Sequence, residues 1–365
     1  MARMNSPVSG HRAFIPSVRD RLTRGAMTAA GSVPSTAIRL AAGTPTVVDG
    51  QRLDPHFQLG LRMIGLLSEG EYEDMTVARA RTALERSSFH VAGTPVQLAS
   101  VRDVVLPLGD DAASADLNAR WYRPDDDEEL PVLIYFHGGG WVLGSIDSHD
   151  STCRYLARTG GLNVLSVDYR MAPEHLFPTA VDDALAAFRY VRDHARTLGV
   201  DPNRIAVGGD SAGGNLAAVV CQQTRGAGER SPDFQLLFVP ATDMSARTRS
   251  YELFKEGFYL TADTMGWYER TYIRSDEDRL DPRASPLLAE DLSGLPPAHV
   301  ATAGFDPLRD EGEAYARRMA DAGVTVSLRR HPAMVHPFVN AVGAAPLARA
   351  ALSEAVGALR MGLAY

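Results

Sequence analysis

The sequence has no apolar run approaching the ~20 residues that span a bilayer. Its N-terminus also lacks the apolar stretch of a secretory signal. A cytoplasmic protein without stable membrane insertion is therefore expected. Cysteine is scarce: Cys153 and Cys221 are the only two. They form no disulfide framework, lack metal-site spacing, and read as reduced, buried thiols. Neither an internal repeat nor a low-complexity tract occurs, so repeat architectures are out. Positive charge is outweighed, 37 Lys and Arg against 45 Asp and Glu, for a net −8. That balance excludes nucleic acid as a partner, because phosphate binding wants a basic face. The first forty residues are an exception, where Arg3, Arg12, Arg19, Arg21, Arg24 and Arg39 face only Asp20. With few large apolar residues to anchor it at a membrane, this stretch reads as a solvated or cap-packing segment.

What is present is ordinary globular material. The 365 residues are 45% apolar, with 22 prolines and 32 glycines, enough for one large core plus an appended piece. Residues 55–67 and 72–87 have helical periodicity, with Leu59, Met63, Leu66 and Leu67 on one side of the first. Strand-like runs begin near Val101 and Leu117. From Val132 onward, apolar strands alternate with amphipathic helices. The strands are Val132–Phe136, Val164–Val167, Ile205–Val207, Leu236–Val239, His299–Thr302 and Val324–Leu328. The helices fall at 149–159, 178–197, 212–224, 308–322 and 341–361. Strands apolar throughout, separated by helices, imply an α/β fold with a mostly parallel sheet covered on both faces. Ligands of such sheets sit beyond the carboxyl ends of the strands. The stretch from about 243 to 285 breaks the rhythm and carries one helical piece at 262–274. Together with residues 1–95 it is expected to form a cap over a catalytic domain spanning 96–365.

Chemistry gathers at the strand ends. Ile205–Val207 runs into Gly209-Asp210-Ser211-Ala212-Gly213, a G-x-S-x-G string between strand and helix. There a sharp turn exposes the serine at a helix N-terminus. Ser211 is the expected nucleophile. Val132–Phe136 ends in His137-Gly138-Gly139-Gly140-Trp141. Three glycines leave backbone N–H groups unobstructed, so Gly138 and Gly139, with Ala212, are expected to bind an oxyanion. His137 reads as a brace for that loop and Trp141 as a pocket wall. In this arrangement the acid and then the histidine follow the serine. Only His299, His331 and His336 of the ten histidines follow Ser211. His299 lies inside a strand and precedes the acid candidate, and His331 directly follows the last strand. His336, five residues further on, is free to swing back over the sheet. The first carboxylate after the His299–Thr302 strand is Asp306, with Pro307 behind it as a helix start. Asp310 lies one turn too far along.

These segments, with Asp168-Tyr169-Arg170-Met171-Ala172-Pro173-Glu174 and Asp306-Pro307-Leu308-Arg309-Asp310-Glu311-Gly312, resemble the hormone-sensitive-lipase-like esterases of the α/β-hydrolase superfamily. The likeness covers roughly residues 100–365. It implies an α/β-hydrolase fold with a helical cap, and carboxylesterase action on small, short-acyl esters. It further implies no cofactor or metal and frequent homodimers, with Trp141 and Asp210 at the substrate site. Amide, formamide or lactone hydrolysis by the same triad is the alternative. A non-catalytic small-molecule receptor on this fold is the other, although such receptors lack the working histidine. One departure stands out. The family has glycine after the catalytic histidine, where this chain has Pro337, which suits that position if it starts the last helix.

Overall fold

The computed structural model describes residues 14–68, 70–108, 116–125 and 129–364. Its eight-stranded sheet consists of β1 (Ser100–Leu106), β2 (Leu117–Arg123), β3 (Leu130–Phe136), β4 (Asn163–Val167), β5 (Val200–Asp210), β6 (Phe234–Phe238), β7 (Ala298–Phe305) and β8 (Val326–Val335). Their order across the sheet is β1-β2-β4-β3-β5-β6-β7-β8. β2 pairs antiparallel with both β1 and β4, and the other neighbours are parallel. The central strands are apolar because both of their faces are covered. Alternate residues feed different layers: Val132, Ile134 and Phe136 join one core with Leu216 and Tyr315. Leu133 and Tyr135 join the other, with Leu156 and Leu352.

Eleven α-helices are present among the described residues. α1 (Val18–Ala30), α2 (Ser35–Ala42), α3 (Pro55–Leu67) and α4 (Val77–Val91) precede the sheet. α5 (Asp150–Gly160), α6 (Thr179–His194) and α7 (Ala212–Gly226) alternate with strands. α8 (Arg249–Phe254) and α9 (Ala262–Tyr272) interrupt the alternation between β6 and β7, and α10 (Arg309–Asp321) and α11 (Pro346–Gly362) follow. α3 begins where its sequence says it should: Asp54 accepts from His56 N at 2.9 Å, with Pro55 at the first helical position.

Some boundaries differ from expectation. Residues 72–87 split into a 3₁₀ turn at Tyr72–Asp74 and α4, because Thr76 caps α4 at Arg79 N. Two short helices occupy the small-residue segment before residue 50. α1 is fixed by a capping box in which Ser17 and Asp20 exchange hydrogen bonds. Asp20 is thereby buried and also meets His90 Nε2 at 2.9 Å, while Arg24 Nε donates to Gly93 O at 2.7 Å. That part of the basic segment packs on α4, whereas Arg3 and Arg12 lie outside the described residues. The last strand extends to Val335 through a bulge after His331. The last helix starts only at Pro346. Among the described residues, no helix is long and apolar enough to cross a membrane.

Candidate active site

Ser211 sits between β5 and α7 with φ 57° and ψ −119°. A non-glycine residue with positive φ is strained and needs its surroundings to hold it. Here Ser211 N donates to Phe238 O at 2.9 Å, and its carbonyl accepts from Asn215 N and Ala241 N at 3.0 and 3.2 Å. The turn closes this tightly because residues 209 and 213 lack side chains: a Cβ at either would overlap Phe136 O.

Two further residues converge on the serine. His336 is the first residue beyond β8, and its Nε2 lies 3.0 Å from Ser211 Oγ. Its Nδ1 lies 3.0 Å from Asp306 Oδ2. Asp306 is the first residue beyond β7 and is fully buried, its other oxygen accepting from Leu308 N at 2.8 Å. Asp306 therefore caps the turn ahead of α10 rather than α10 itself, which begins at Arg309. A carboxylate fixed by a backbone N–H and facing one imidazole nitrogen leaves the other nitrogen as an acceptor toward the hydroxyl. Chemically, the arrangement can withdraw a proton from Ser211.

The other histidines and acids fall elsewhere. His331 lies within β8, not after it, with its ring edge-on to Phe338. His299 is buried in β7 against Ser327, and burial pushes it down to about 4. Asp310 turns toward α8, accepting from Ser250 N at 2.7 Å. Pro337 does not start the last helix. It precedes a 3₁₀ turn at Phe338–Asn340 with φ −87°, a conformation open to proline and making no demand for glycine.

The glycine loop after β3 differs from expectation at one residue. Phe136 is in register with Gly209, so the first glycine beyond β3 meets the end of β5. Gly138 N–H donates there to Asp210 Oδ1 at 3.1 Å and is spent. Gly139 and Gly140 take positive φ, and their N–H groups find no acceptor among the described residues. Ala212 opens α7, so its N–H belongs to the helix's unsatisfied first turn. His137 braces the loop: its ring stacks on Tyr169 at 4.4 Å and its Nδ1 meets Gly138 O at 2.9 Å. Burial and the neighbouring His149 push it down to about 3, so it is neutral.

Trp141 is buried and stacks on Tyr272 of α9, centroids 4.7 Å apart. It lines a cavity of about 420 Å³ with Ser211, His336 and Tyr268. Asp210 also borders that cavity, but its oxygens face the protein. Oδ1 accepts from Tyr135 Oη at 2.7 Å and Oδ2 lies 3.2 Å from His149 Nε2. α3, α4 and the 257–269 stretch close the cavity's far side. The 3₁₀ turn between α3 and α4 is tied to the 257–269 stretch by Tyr72 Oη to Tyr259 Oη at 3.3 Å and Thr264 Oγ1 to Glu73 at 2.9 Å. Arg81 anchors α4 to the glycine-loop region through Val142 O and Ala172 O, both at 2.9 Å.

Two residues escaped the sequence reading. His149 precedes the serine, so the chain order of acid and base passes over it. Glu311 looked like part of a helix start. It accepts from both Thr242 N and Asp243 N through Oε1, at 2.7 and 3.1 Å, and holds the chain leaving β6. Burial pushes its carboxyl up to about 8. No sequence signal marks either role, since both depend on contacts across the fold. Among the described residues, no group of three or more His, Cys, Asp or Glu side chains gathers as a metal site.

The chain as a whole is similar to known proteins. A family profile described as alpha/beta hydrolase fold matches residues 133–340. The carboxylic ester hydrolase LipN of Mycobacterium tuberculosis is 44% identical over 341 residues, covering 91% of this chain and 89% of that protein. An ethyl acetate hydrolase of Pseudomonas putida is 42% identical over 265 residues, 72% of this chain and 82% of its own length. Among solved structures, an ester hydrolase from the Lake Arreo metagenome, complexed with a bipyridine phosphonate derivative, superposes with TM-score 0.82. It is 41% identical and covers 86% of this chain and all of its own. A hyperthermophilic esterase from Pyrobaculum calidifontis superposes with TM-score 0.79 at 42% identity, covering 85% of this chain and 98% of its own.

Proposed function

The chain belongs to the α/β-hydrolase family, in its hormone-sensitive-lipase-like branch, and on that premise we propose that it is a serine carboxylesterase of small, short-acyl esters. The observation that carries this reading is the unbroken line from Asp306 through His336 to Ser211, with both links at 3.0 Å. His336 Nε2 takes the Ser211 proton as Oγ attacks the ester carbonyl. Asp306 holds the proton on Nδ1 and stabilises the imidazolium that forms. The tetrahedral oxyanion is received by the free N–H groups of Gly139 and Gly140 with that of Ala212, each worth about 3 kcal/mol. His336 then protonates the departing alkoxide, leaving an acyl ester on Ser211. Water attacks that ester by the same route in reverse, releasing the acid.

The names of the relatives support the ester substrate, and the ethyl acetate hydrolase supports short chains. α1–α4 and the 243–285 insertion form the cap in this proposal, which limits the acyl group to what the closed cavity holds. A cytoplasmic location, expected from the sequence, and a homodimer, implied by the family, belong to the same reading; light scattering giving the mass of two chains checks the second. Ser211→Ala is expected to abolish hydrolysis of p-nitrophenyl butanoate, and retention of most of the activity would sink the assignment.

A further inference from the structure

A second histidine–aspartate pair lies beside the nucleophile and takes no part in the proton transfer described above. His149 and Asp210 are both buried, and Asp210 immediately precedes Ser211 in the chain. The protons in this cluster can be counted. Ser148 has one hydroxyl proton and gives it to Ser145 O at 2.9 Å. Ser148 Oγ, 2.9 Å from His149 Nδ1, is therefore the acceptor of an Nδ1–H. The opposite nitrogen, Nε2, faces Asp210 Oδ2 at 3.2 Å, and a carboxylate only accepts. A lone pair on Nε2 would face that carboxylate, so Nε2 also carries a proton; Gly138 N–H, which lies 3.3 Å from Nε2 as well, gives its hydrogen to the nearer Asp210 Oδ1 at 3.1 Å. Asn340 Nδ2 lies 3.1 Å from the same nitrogen, and with Nε2 protonated the amide takes the reversed orientation, its oxygen on Nε2–H and its nitrogen donating to Thr152 Oγ1, whose own proton goes to Val339 O at 3.0 Å. With both nitrogens donating, the ring is an imidazolium.

The charged and titratable neighbours fit a cation. Burial disfavours it and α5, starting at the next residue, opposes it with its N-terminal dipole. Asp210 overrides both and holds His149 above its usual range, with help from Glu85 on α4 only where that carboxyl, itself pushed up to about 7 by burial, is ionised. His137, whose ring centroid is 5.6 Å away, is neutral. The phenol of Tyr135 donates to Asp210 and stays neutral.

We propose that His149 is a positioning residue, a buried imidazolium that keeps Asp210 ionised so that Asp210 draws in Gly138 N–H and fixes the glycine loop. A loop pinned at Gly138 turns the next two N–H groups outward, toward the cavity. The ion pair thus acts on the oxyanion through backbone, without touching substrate. This rests on the esterase reading for its kinetic consequence, but not for the charge state itself.

Two measurements test it. In the unmodified enzyme labelled with ¹⁵N-histidine, one buried ring is expected to show both nitrogens protonated from pH 6 to 9, and to shift in Ser148→Ala. A spectrum in which every buried ring is neutral at pH 7.5 overturns the proposal, whatever the substrate is. In His149→Gln, kcat for p-nitrophenyl butanoate is expected to fall about 10- to 100-fold, with KM within about threefold. The Ki of a trifluoromethyl ketone, which forms the same oxyanion on Ser211, is expected to rise by the same factor. Rates are taken per site labelled by a fluorophosphonate, which removes any misfolded fraction. An unchanged kcat per labelled site, or a fall in kcat without weaker ketone binding, overturns the positioning role. Inactivity of the wild-type enzyme toward esters would instead fail the esterase reading and leave the charge-state test standing.

Discussion

Two histidines reach the neighbourhood of Ser211, each joined to an aspartate, and the pairs differ in what their second nitrogen meets. His336 binds Asp306 through Nδ1 and turns Nε2 to the Ser211 hydroxyl. His149 binds Asp210 through Nε2 and ends on Ser148, whose proton is already committed to Ser145 O. The carboxylates differ as well. Asp306 serves one backbone N–H besides its histidine. Asp210 serves Tyr135 and Gly138 besides its own, and is held below the usual carboxylate range although burial alone would raise it. In the proposed mechanism the same two residue types make a base where a transferable proton lies within reach, and a brace where none does. Identity of side chain says little here; the proton count of the next group outward decides.

Exchanging each aspartate for asparagine is the strongest way to break this comparison. Asp306→Asn keeps the shape but presents an amide that favours the wrong His336 tautomer, so kcat is expected to fall about 10⁴-fold. Asp210→Asn leaves His336 untouched, and the expected loss is about 10- to 100-fold. Steady-state rates on p-nitrophenyl butanoate, per labelled site, check both. Equal losses would mean that the pairs are not functionally distinct.

The loop that the second pair supports gives the next largest effect. Gly140 has φ +62°, and a Cβ there would overlap the Tyr268 ring of α9. Gly140→Ala must displace either the loop or α9, and with it an oxyanion donor. A fall in kcat of about 10²- to 10³-fold is expected. Little change in KM for a small ester would place the damage at the oxyanion rather than in the cavity; a loss confined to KM would reverse that conclusion.

The sheet and the first of these pairs were legible in the sequence for identifiable reasons. Buried parallel strands are apolar on both faces, so β3, β4 and β6 announce themselves as runs. Chain order singles out His336, and Asp306 is simply the first carboxylate off β7. Limits of strands and helices were harder. β8 continues past His331, but it is an edge strand in which exposed Arg329 and Arg330 and then Pro332 interrupt the apolar run, so its buried end at Met334 and Val335 is not marked as part of the same strand. The second pair was invisible because His149 and Asp210 are 61 residues apart and meet only through the register of β3 with β5. That same register takes Gly138, an expected oxyanion donor, out of that role and leaves Gly140 in its place. Three consecutive glycines look alike until one of them has a carboxylate at 3.1 Å.

A buried carboxyl without any histidine sharpens the comparison from the other side. Glu311 has no cation partner among the described residues, and burial pushes it up to about 8 from an ordinary 4.5. Since the folded state holds the proton more tightly than the unfolded chain, its contribution to stability is complete below about pH 4.5. It is lost as pH rises toward and through about 8. Glu311→Gln retains the Oε1 acceptor used by Thr242 and Asp243 and cannot ionise. The variant is expected to melt near the wild type at pH 5 and roughly 2 °C or more above it at pH 8.5. Melting curves that track the wild type at both pH values would show that Glu311 is ionised after all, and that burial without a histidine does not neutralise an acid here.

The smallest expected effect concerns the residue after the working histidine. Pro337 stands where the resemblance to the esterases implies glycine, yet its φ of −87° lies on the ordinary side of the map, so glycine has no conformational advantage to offer. His336 is placed by the end of β8 behind it and by Asp306 beside it, and Phe338 beyond is fully buried, ringed by Phe238 and His331. These contacts hold the turn whichever residue occupies 337. Pro337→Gly is therefore expected to change kcat by less than about threefold. Its cost falls on folding instead: the unfolded chain gains freedom at 337, lowering stability by about 1 kcal/mol in a denaturant titration. Should kcat move tenfold in either direction, the proline would be setting the His336–Ser211 distance, and the first pair would depend on its flanking backbone as much as the second depends on Gly138.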